Sequence, residues 1–405
     1  NRGKTPPLSP YGYELLEVNA ILEDRKTPDY SVVRKYVDKD TYRTWFREHL
    51  QLKDILLPTV GTIGNLAILN ESRGAIAQNL IGLRIKTNYA NPDYIYYYLK
   101  SPTQKERLLN LNIGGVQPSI KVPHFLNLQI ALPNLEGQQQ IASILSSLDD
   151  KIELNRQMNK TLEEIGKALF KRWFVDFEFP NDERKPYKSS GGEMVESELG
   201  MIPKGWKMEK LGKIILKIES GRRPRGGVDK YSYGVPSIGA GNIDGLANYD
   251  YTKEKYIPED FFNAMKQGVL KHKDILLYKD GAQIGKKTIY RNDFPHAKCC
   301  VNEHVFILRS EEQIQNYLYF WLDLPNITTN IVNLNSNAAQ PGINQEEVKS
   351  LNVLIPCVDV LNDFDIFAES ILNQIYEKAR ENQLLSQIRD SLLPRLMSGK
   401  IRVTI

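Results

Sequence analysis

Residues 114–133 read GGVQPSIKVPHFLNLQIALP, and residues 337–356 read NAAQPGINQEEVKSLNVLIP. A Gln-Pro pair, an Ile two residues on, a Leu and a closing Pro recur at one offset of 223 residues. Working outward, the echo continues. KDILL stands at Lys53–Leu57 and again at Lys273–Leu277, GTIG at Gly61–Gly64 answers GAQIG at Gly281–Gly285, and YIYYYL at Tyr94–Leu99 answers YLYFWL at Tyr317–Leu322. So long a period excludes a solenoid and means two copies of a whole domain plus a following element.

The copies differ at the front. Copy two is led by MIPKGWKMEKLGKIILKIESGRRP, with a strand expected around Leu211–Ile218. Copy one opens at NRGKTPP, which aligns with ESGRRPR, so its lead-in is absent and roughly twenty residues are expected before Asn1, from the length of the lead-in. Within each copy, DILLPTVGTIGNLAIL reads as a hairpin around a Gly-rich turn. NPDYIYYYLKSPTQKERLLNL reads as a helix opened by Asn-Pro. LNLQIALP alternates and ends at Pro, the pattern of a strand.

After each closing Pro the period changes from 2 to near 3.5. Ile144, Leu148, Ile152, Leu162, Ile165 and Leu169 in copy one, and Phe367, Ile371, Ile375, Leu385, Ile388 and Leu392 in copy two, are expected to face a partner helix. Only Gly166 weakens the first stripe. Asn155, Asn159, Lys378 and Asn382 interrupt the stripes and read as register-setting. Residues 180–198 are polar and rich in Pro, Gly and Ser, the composition of a surface linker.

With 41% apolar and 25% charged residues, the chain can bury two cores; no run of 18 apolar residues marks a membrane span. Three Cys argue against a disulfide framework and for a reducing compartment. A net charge of +4 permits a polyanion partner without demanding one. Catalytic signatures fail one by one. GAQIGKKT at Gly281–Thr288 spaces its glycines by three residues and has Lys287 where a phosphate loop needs a hydroxyl. GAGNIDG at Gly239–Gly245 misplaces the third Gly of the dinucleotide fingerprint. NPDY at Asn91–Tyr94 resembles an amino-methyltransferase loop but has Asp93 for Pro and no Gly-rich cofactor loop before it. His296, Cys299, Cys300 and His304 lack a second ligand pair and read better as buried thiols in a strand.

Side chains suited to base edges are better supplied. Copy one carries RKTPDYSVVRKYVDKDTYRTWFR at Arg25–Arg47; copy two carries SGRRPRGGVDKYSY and GAGNIDGLANYDYTKEKY. Arg and Lys suit guanine and phosphate, and Asn and Gln suit adenine. The frame repeats while these loops differ, as two like scaffolds reading unlike targets would. By position and type, Lys4, Thr5, Arg25, Lys35, Tyr42, Arg43 and Arg47 are the candidate DNA contacts of copy one. Arg222, Arg223, Arg225, Lys230, Tyr231, Asn242, Lys286 and Lys287 are those of copy two. Gln117 and Gln340 read either as amides bracing a turn, the favoured role, or as base contacts.

The order of motifs resembles a family. LNLQIALP followed by GQQQIASILSSLDDKIELNRQMNKTLEEIGKALFKRWFVDF is similar to the central conserved region of Type I restriction–modification specificity subunits. LLSQIRDSLLPRLMSGKIRV resembles their C-terminal conserved region, and IPKGWKMEKLGKI with ESGRRP the opening of their second target recognition domain. The resemblance implies an α+β protein of two pseudo-symmetric α/β target recognition domains, separated by two long antiparallel coiled-coil helices. The corresponding boundaries are 1–136 for the first recognition domain, 137–179 for the spacer helix, 180–198 for the linker, 199–359 for the second recognition domain and 360–405 for the C-terminal helix. It implies a non-catalytic, cytoplasmic prokaryotic subunit on double-stranded DNA, each domain reading half of a split asymmetric site. Those halves would lie about 34 Å apart, roughly one helical turn, and a heptad added to the spacer would add about three base pairs. Two modification subunits with S-adenosylmethionine would dock on the helices, and restriction subunits would bring ATP and Mg. The competing expectation is a protein scaffold that reads no bases.

Overall fold

The computed structural model describes residues 5–112, 118–198, 200–335 and 342–403. Contacts divide the chain into two compact units, Asn1–Leu154 with Asn382–Ile405, and Asn155–Glu381. Both units mix helices and sheets.

Unit one contains β1 (Tyr13–Leu16), β2 (Tyr36–Val37), α1 (Lys39–Trp45), β3 (Ile55–Pro58), β4 (Ala67–Ile68), β5 (Ala75–Ile76) and β6 (Leu80–Leu83). Helices α2 (Pro92–Lys100), α3 (Pro102–Asn110) and α4 (Val122–Leu126) follow, then the long α5 (Leu135–Phe174). The strands form two sheets, ordered β2-β1-β5 and β4-β3-β6. β1 pairs antiparallel with β2 and parallel with β5, Leu16 opposite Ile76. β3 is apolar throughout because it is covered on both faces: Ile55 and Leu57 enter one core, Leu56 another. Burying each such side chain stabilises by about 1.5–3 kcal/mol. The expected single helix over residues 91–111 is two, because Pro102 cannot extend the first. Asn91 caps α2 through the Tyr94 amide at 3.0 Å.

Unit two begins in the later half of α5. It contains β7 (Met194–Ser197), β8 (Gly200–Pro203), β9 (Lys207–Lys210), β10 (Lys217–Ser220), β11 (Val235–Ile238), β12 (Tyr256–Ile257) and α6 (Glu259–Asn263). Next come β13 (Ile275–Tyr278), β14 (Lys287–Ile289), β15 (Cys300–Val301), β16 (Val305–Arg309), α7 (Glu312–Asp323), α8 (Pro325–Asn333), α9 (Gln345–Lys349), β17 (Asn352–Ile355) and the long α10 (Val358–Met397). Its sheets are β10-β16-β13-β14, β12-β11-β15, β17-β9 and β7-β8. The hairpin expected around each Gly-rich turn forms as β3–β4 and β13–β14. Cys300 lies buried in β15 with Cys299 beside it.

The repeat extends to backbone detail. Lys53 and Lys273 both take a left-handed conformation, at φ 69° and 67°. Each precedes an Asp whose carboxylate accepts an amide three residues back (Gln51 and Lys271) and holds an Arg, Arg84 or Arg309. Gly12 and Gly234 both have φ near +130°, and a Cβ there would lie 2.3 Å from a strand carbonyl, so only Gly fits.

Three further expectations change. The strand expected at 211–218 is two strands, β9 and β10, with a 3-10 turn at Leu211–Lys213 between them. LNLQIALP of copy one is no strand: residues 127–133 follow α4 in irregular and mostly exposed conformation. Its counterpart β17 pairs with β9, whereas no strand among the described residues pairs with residues 127–133. The segment 180–198, expected as a linker, contains β7, and Tyr187 stacks on Phe179.

Both long helices pair inside each unit. In unit one, Ile141, Ala142 and Leu145 of α5 share a core with Leu393 and Leu396 of α10. In unit two, Phe170, Trp173 and Phe174 pack with Phe364, and Asn155 and Asn159 bridge to Glu381 and the Ile375 carbonyl. The buried stripe of α10 in unit two is Phe364, Ala368, Leu372, Ile375 and Ala379. Ile152 and Ile375 are buried as expected, Leu148, Leu162, Leu169, Ile371, Leu385 and Leu392 are partly buried, and Ile144, Ile165, Phe367 and Ile388 point outward. That correction follows from the period: 3.6 residues per turn drifts off a strict 3.5 stripe. Among the described residues no helix is long and apolar enough to cross a membrane.

Candidate nucleic-acid interface

In unit one, Asp38 caps α1 through the Thr41 amide and sets the helix on the surface. Tyr42 of α1 stacks on Tyr13 with ring centroids 3.9 Å apart and on His49 at 4.3 Å. Burial, with Tyr13 next to it, raises its phenol above the ordinary range. Arg43 and Arg47 are exposed on and just beyond this helix, and Arg43 lies 3.5 Å from Asp40. Arg25 is held by Asp29 at 3.3 Å, and Lys35 by Glu17 at 2.6 Å. Lys35 and Thr5 line one groove of about 350 Å³, within the range of a small ligand site. Asn19, Gln78 and Asn79 also line it. Sequence reading passed over these three amides, because only the β1–β5 pairing brings residues 77–79 beside β1. Lys4, Gln117 and Gln340 lie outside the described residues.

In unit two, Arg222 and Arg225 are exposed. Arg223 pairs with Glu303, whose carboxylate also lies 3.2 Å from His304. His304 meets Asp280 at 2.7 Å. The Lys230 ammonium sits 5.0 Å from the Tyr231 ring, and Lys286 reaches Asp244 at 3.1 Å. Two expected contacts face inward instead. Asn242 is buried and braces its own loop, accepting from the Gly239 amide and donating to the Asp250 carbonyl, each at 3.0 Å. Lys287 is buried against Asp323 and Thr328; burial pushes its ammonium pKa down, although Asp323 opposes the shift. Neither reaches a base without breaking the fold around it. The Tyr249 and Tyr251 rings are also used internally, edge-on to His296 and beside Glu254. Burial raises both phenols, and the Glu254 charge adds to it.

Each unit therefore presents a mixed surface of cations, amides and paired carboxylates on a matching frame. The model of the Type I restriction modification DNA specificity domain matches twice, over residues 18–164 and 203–381. The chain belongs to this family.

The two specificity domains coincide with the two halves of the repeat. Type I restriction enzyme MjaIX specificity subunit of Methanocaldococcus jannaschii is 28% identical over 312 residues, covering 77% of this chain and 69% of that protein. HindI specificity subunit of Haemophilus influenzae is 26% identical, covering 78% of each. In fold, the chain is similar to the crystal structure of the Type I restriction-modification S subunit from M. genitalium. The TM-score is 0.53 at 16% identity, over 96% of this chain and 93% of that one.

Proposed function

We propose that this chain reads a split DNA sequence for a Type I restriction–modification complex, each unit reading one half-site. One observation carries the reading: the two specificity domains share frame, turns and an Arg held by a buried Asp but carry unlike polar surfaces. A frame kept and a surface changed is what two unlike half-sites require.

The outward apolar residues of the helices support docking of two like partners. Ile144 corresponds to Phe367, and Ile165 to Ile388, at the offset of 223. All four are exposed, between 37% and 50%. Each unit thus carries one member of each pair on its helices, which offers two modification subunits equivalent footholds. Chemistry belongs to those partners, with S-adenosylmethionine on the modification subunits and ATP and Mg on the restriction subunits.

The test exchanges residues 222–260 for the matching loop of a relative with different specificity, and maps methylation by the reconstituted methyltransferase. Exactly one half-site should change. A site unchanged in both halves, or uniform affinity for all duplexes, favours a scaffold that reads no bases.

A further inference from the structure

The two units can be aligned residue by residue at one place by their hydrogen bonds. In unit one, the Ala77 amide donates to the Leu16 carbonyl at 2.8 Å, where β5 leaves β1; in unit two, the Asn302 amide donates to Ile238 at 2.9 Å, where β15 leaves β11. Two residues later the match repeats. The Thr59 amide donates to the Asn79 carbonyl at 2.8 Å, and the Lys279 amide to His304 at 3.1 Å. Gln78-Asn79 and Glu303-His304 are therefore the same dipeptide position on the same backbone.

Their side chains share nothing. Gln78 and Asn79 are exposed on the groove, and neither makes a side-chain hydrogen bond among the described residues. Glu303 and His304 instead sit among Arg223 and Asp280. Around them the backbone pairing repeats, with Ala75-Ile76 beside β1 where Cys300-Val301 lies beside β11, and Leu83-Arg84 answering Leu308-Arg309. Two backbone bonds thus hold unlike polar side chains at one equivalent place in each unit.

We propose that these dipeptides are specificity-determining positions: Gln78-Asn79 takes an adenine edge, and Glu303 with Arg223 takes a G·C pair. An amide offers one donor and one acceptor, matching adenine N7 and N6–H₂. Glu accepts from cytosine N4, and Arg donates to guanine O6 and N7. Arg223 and Glu303 already lie side by side, as guanine and cytosine edges do. This inference rests on the proposed half-site reading.

The experiment uses the full chain reconstituted with its modification subunit, methylating a pool of randomised duplexes. Wild type should select a split consensus. Gln78→Ala with Asn79→Ala should relax one A·T position in one half-site by roughly ten-fold or more, the scale of one lost bidentate contact. The other half-site and the salt dependence should not move, since neutral amides release no counterions. Glu303→Gln should relax a G·C position in the opposite half-site. Variants that keep the wild-type consensus, or that weaken all sequences equally, overturn the assignment while the half-site reading stands. A wild-type pool with no consensus sinks both.

Discussion

At Glu369 the carboxylate meets Asn316 at 2.9 Å, Lys273 at 3.1 Å and the fully buried Arg291. Burial alone would raise its pKa, but these partners outweigh it and hold it at about 2. The sign follows from linkage. A carboxyl depressed below its ordinary 4.5 stabilises fully above that pH and loses its contribution as pH falls toward 2. Asp365 nearby is shifted upward, by burial, so it opposes the trend, and the useful quantity is the difference between wild type and variant. Glu369→Gln should cost roughly 2–3 kcal/mol at pH 7, discounted for partial exposure, with the difference vanishing near pH 2. Urea unfolding from pH 7 to 2 measures it; a pH-independent difference would show that shape, not charge, matters there. Nothing in the sequence announced this network, since Lys273, Arg291, Asn316 and Glu369 come from four separate segments. The same limit applied to Asn242 and Lys287: residue type suggested DNA, and only burial showed that they face inward.

Between helices, one symmetric position is solved in two ways. In unit one, Asp149 of α5 accepts from Arg389 of α10 at 2.6 Å and from the Tyr97 hydroxyl at 2.7 Å, all buried. At the offset of 223, Asp149 corresponds to Leu372, Arg389 to Gly166 and Tyr97 to Phe320. In unit two Phe320 and Leu372 share the core, and a Cβ on Gly166 would lie 3.0 Å from Phe320. Gly166, which reads in the sequence as a weak point of the helix, leaves the room that Phe320 of α7 occupies. The helices themselves were legible because their apolar period persists for about ten turns. Their stripe was legible in part: α10 buries Phe364, Ala368 and Ile375, which lie on or near it, while Phe367 and Ile388 of the same stripe point outward. LNLQIALP shows the other limit: alternation marks a segment able to be a strand, and pairing decides whether it is one. The coupled substitution gives a cycle. Asp149→Leu alone should cost about 3–5 kcal/mol, because buried Arg389 keeps only Asp390 among the described residues and the neighbouring Lys100 loses its counter-charge. Adding Arg389→Gly and Tyr97→Phe should recover all but about 1 kcal/mol, the helix penalty of a new Gly. Additive losses in thermal and urea unfolding would show that the three residues do not act as one unit.

For the molecule as a whole, the proposed function makes the two helices do two things, and each can be changed separately. Docking should depend on the outward apolar residues. Ile165→Asp should cost no more than about 1 kcal/mol of stability, since Ile165 is half exposed, and Phe367→Asp somewhat more, since Phe367 also packs edge-on against Trp173; either should weaken modification-subunit binding by roughly thirty-fold or more, the scale of an interface hot spot. Calorimetric titration showing wild-type affinity would move the docking face elsewhere. Spacing should depend on helix length. The units divide at Leu154 and Asn155 on α5, and at Glu381 and Asn382 on α10. Inserting seven residues at both junctions leaves the helix packing inside each unit intact. Each insertion lengthens its helix by about 10 Å and turns it by only about 20° relative to the heptad frame. DNA over that length gains about three base pairs but turns by roughly 100°, so twist must be absorbed and affinity should fall. The methylated half-sites should keep their sequences while the gap between them grows by about three base pairs. An unchanged gap would mean that something other than these helices sets the distance between the half-sites.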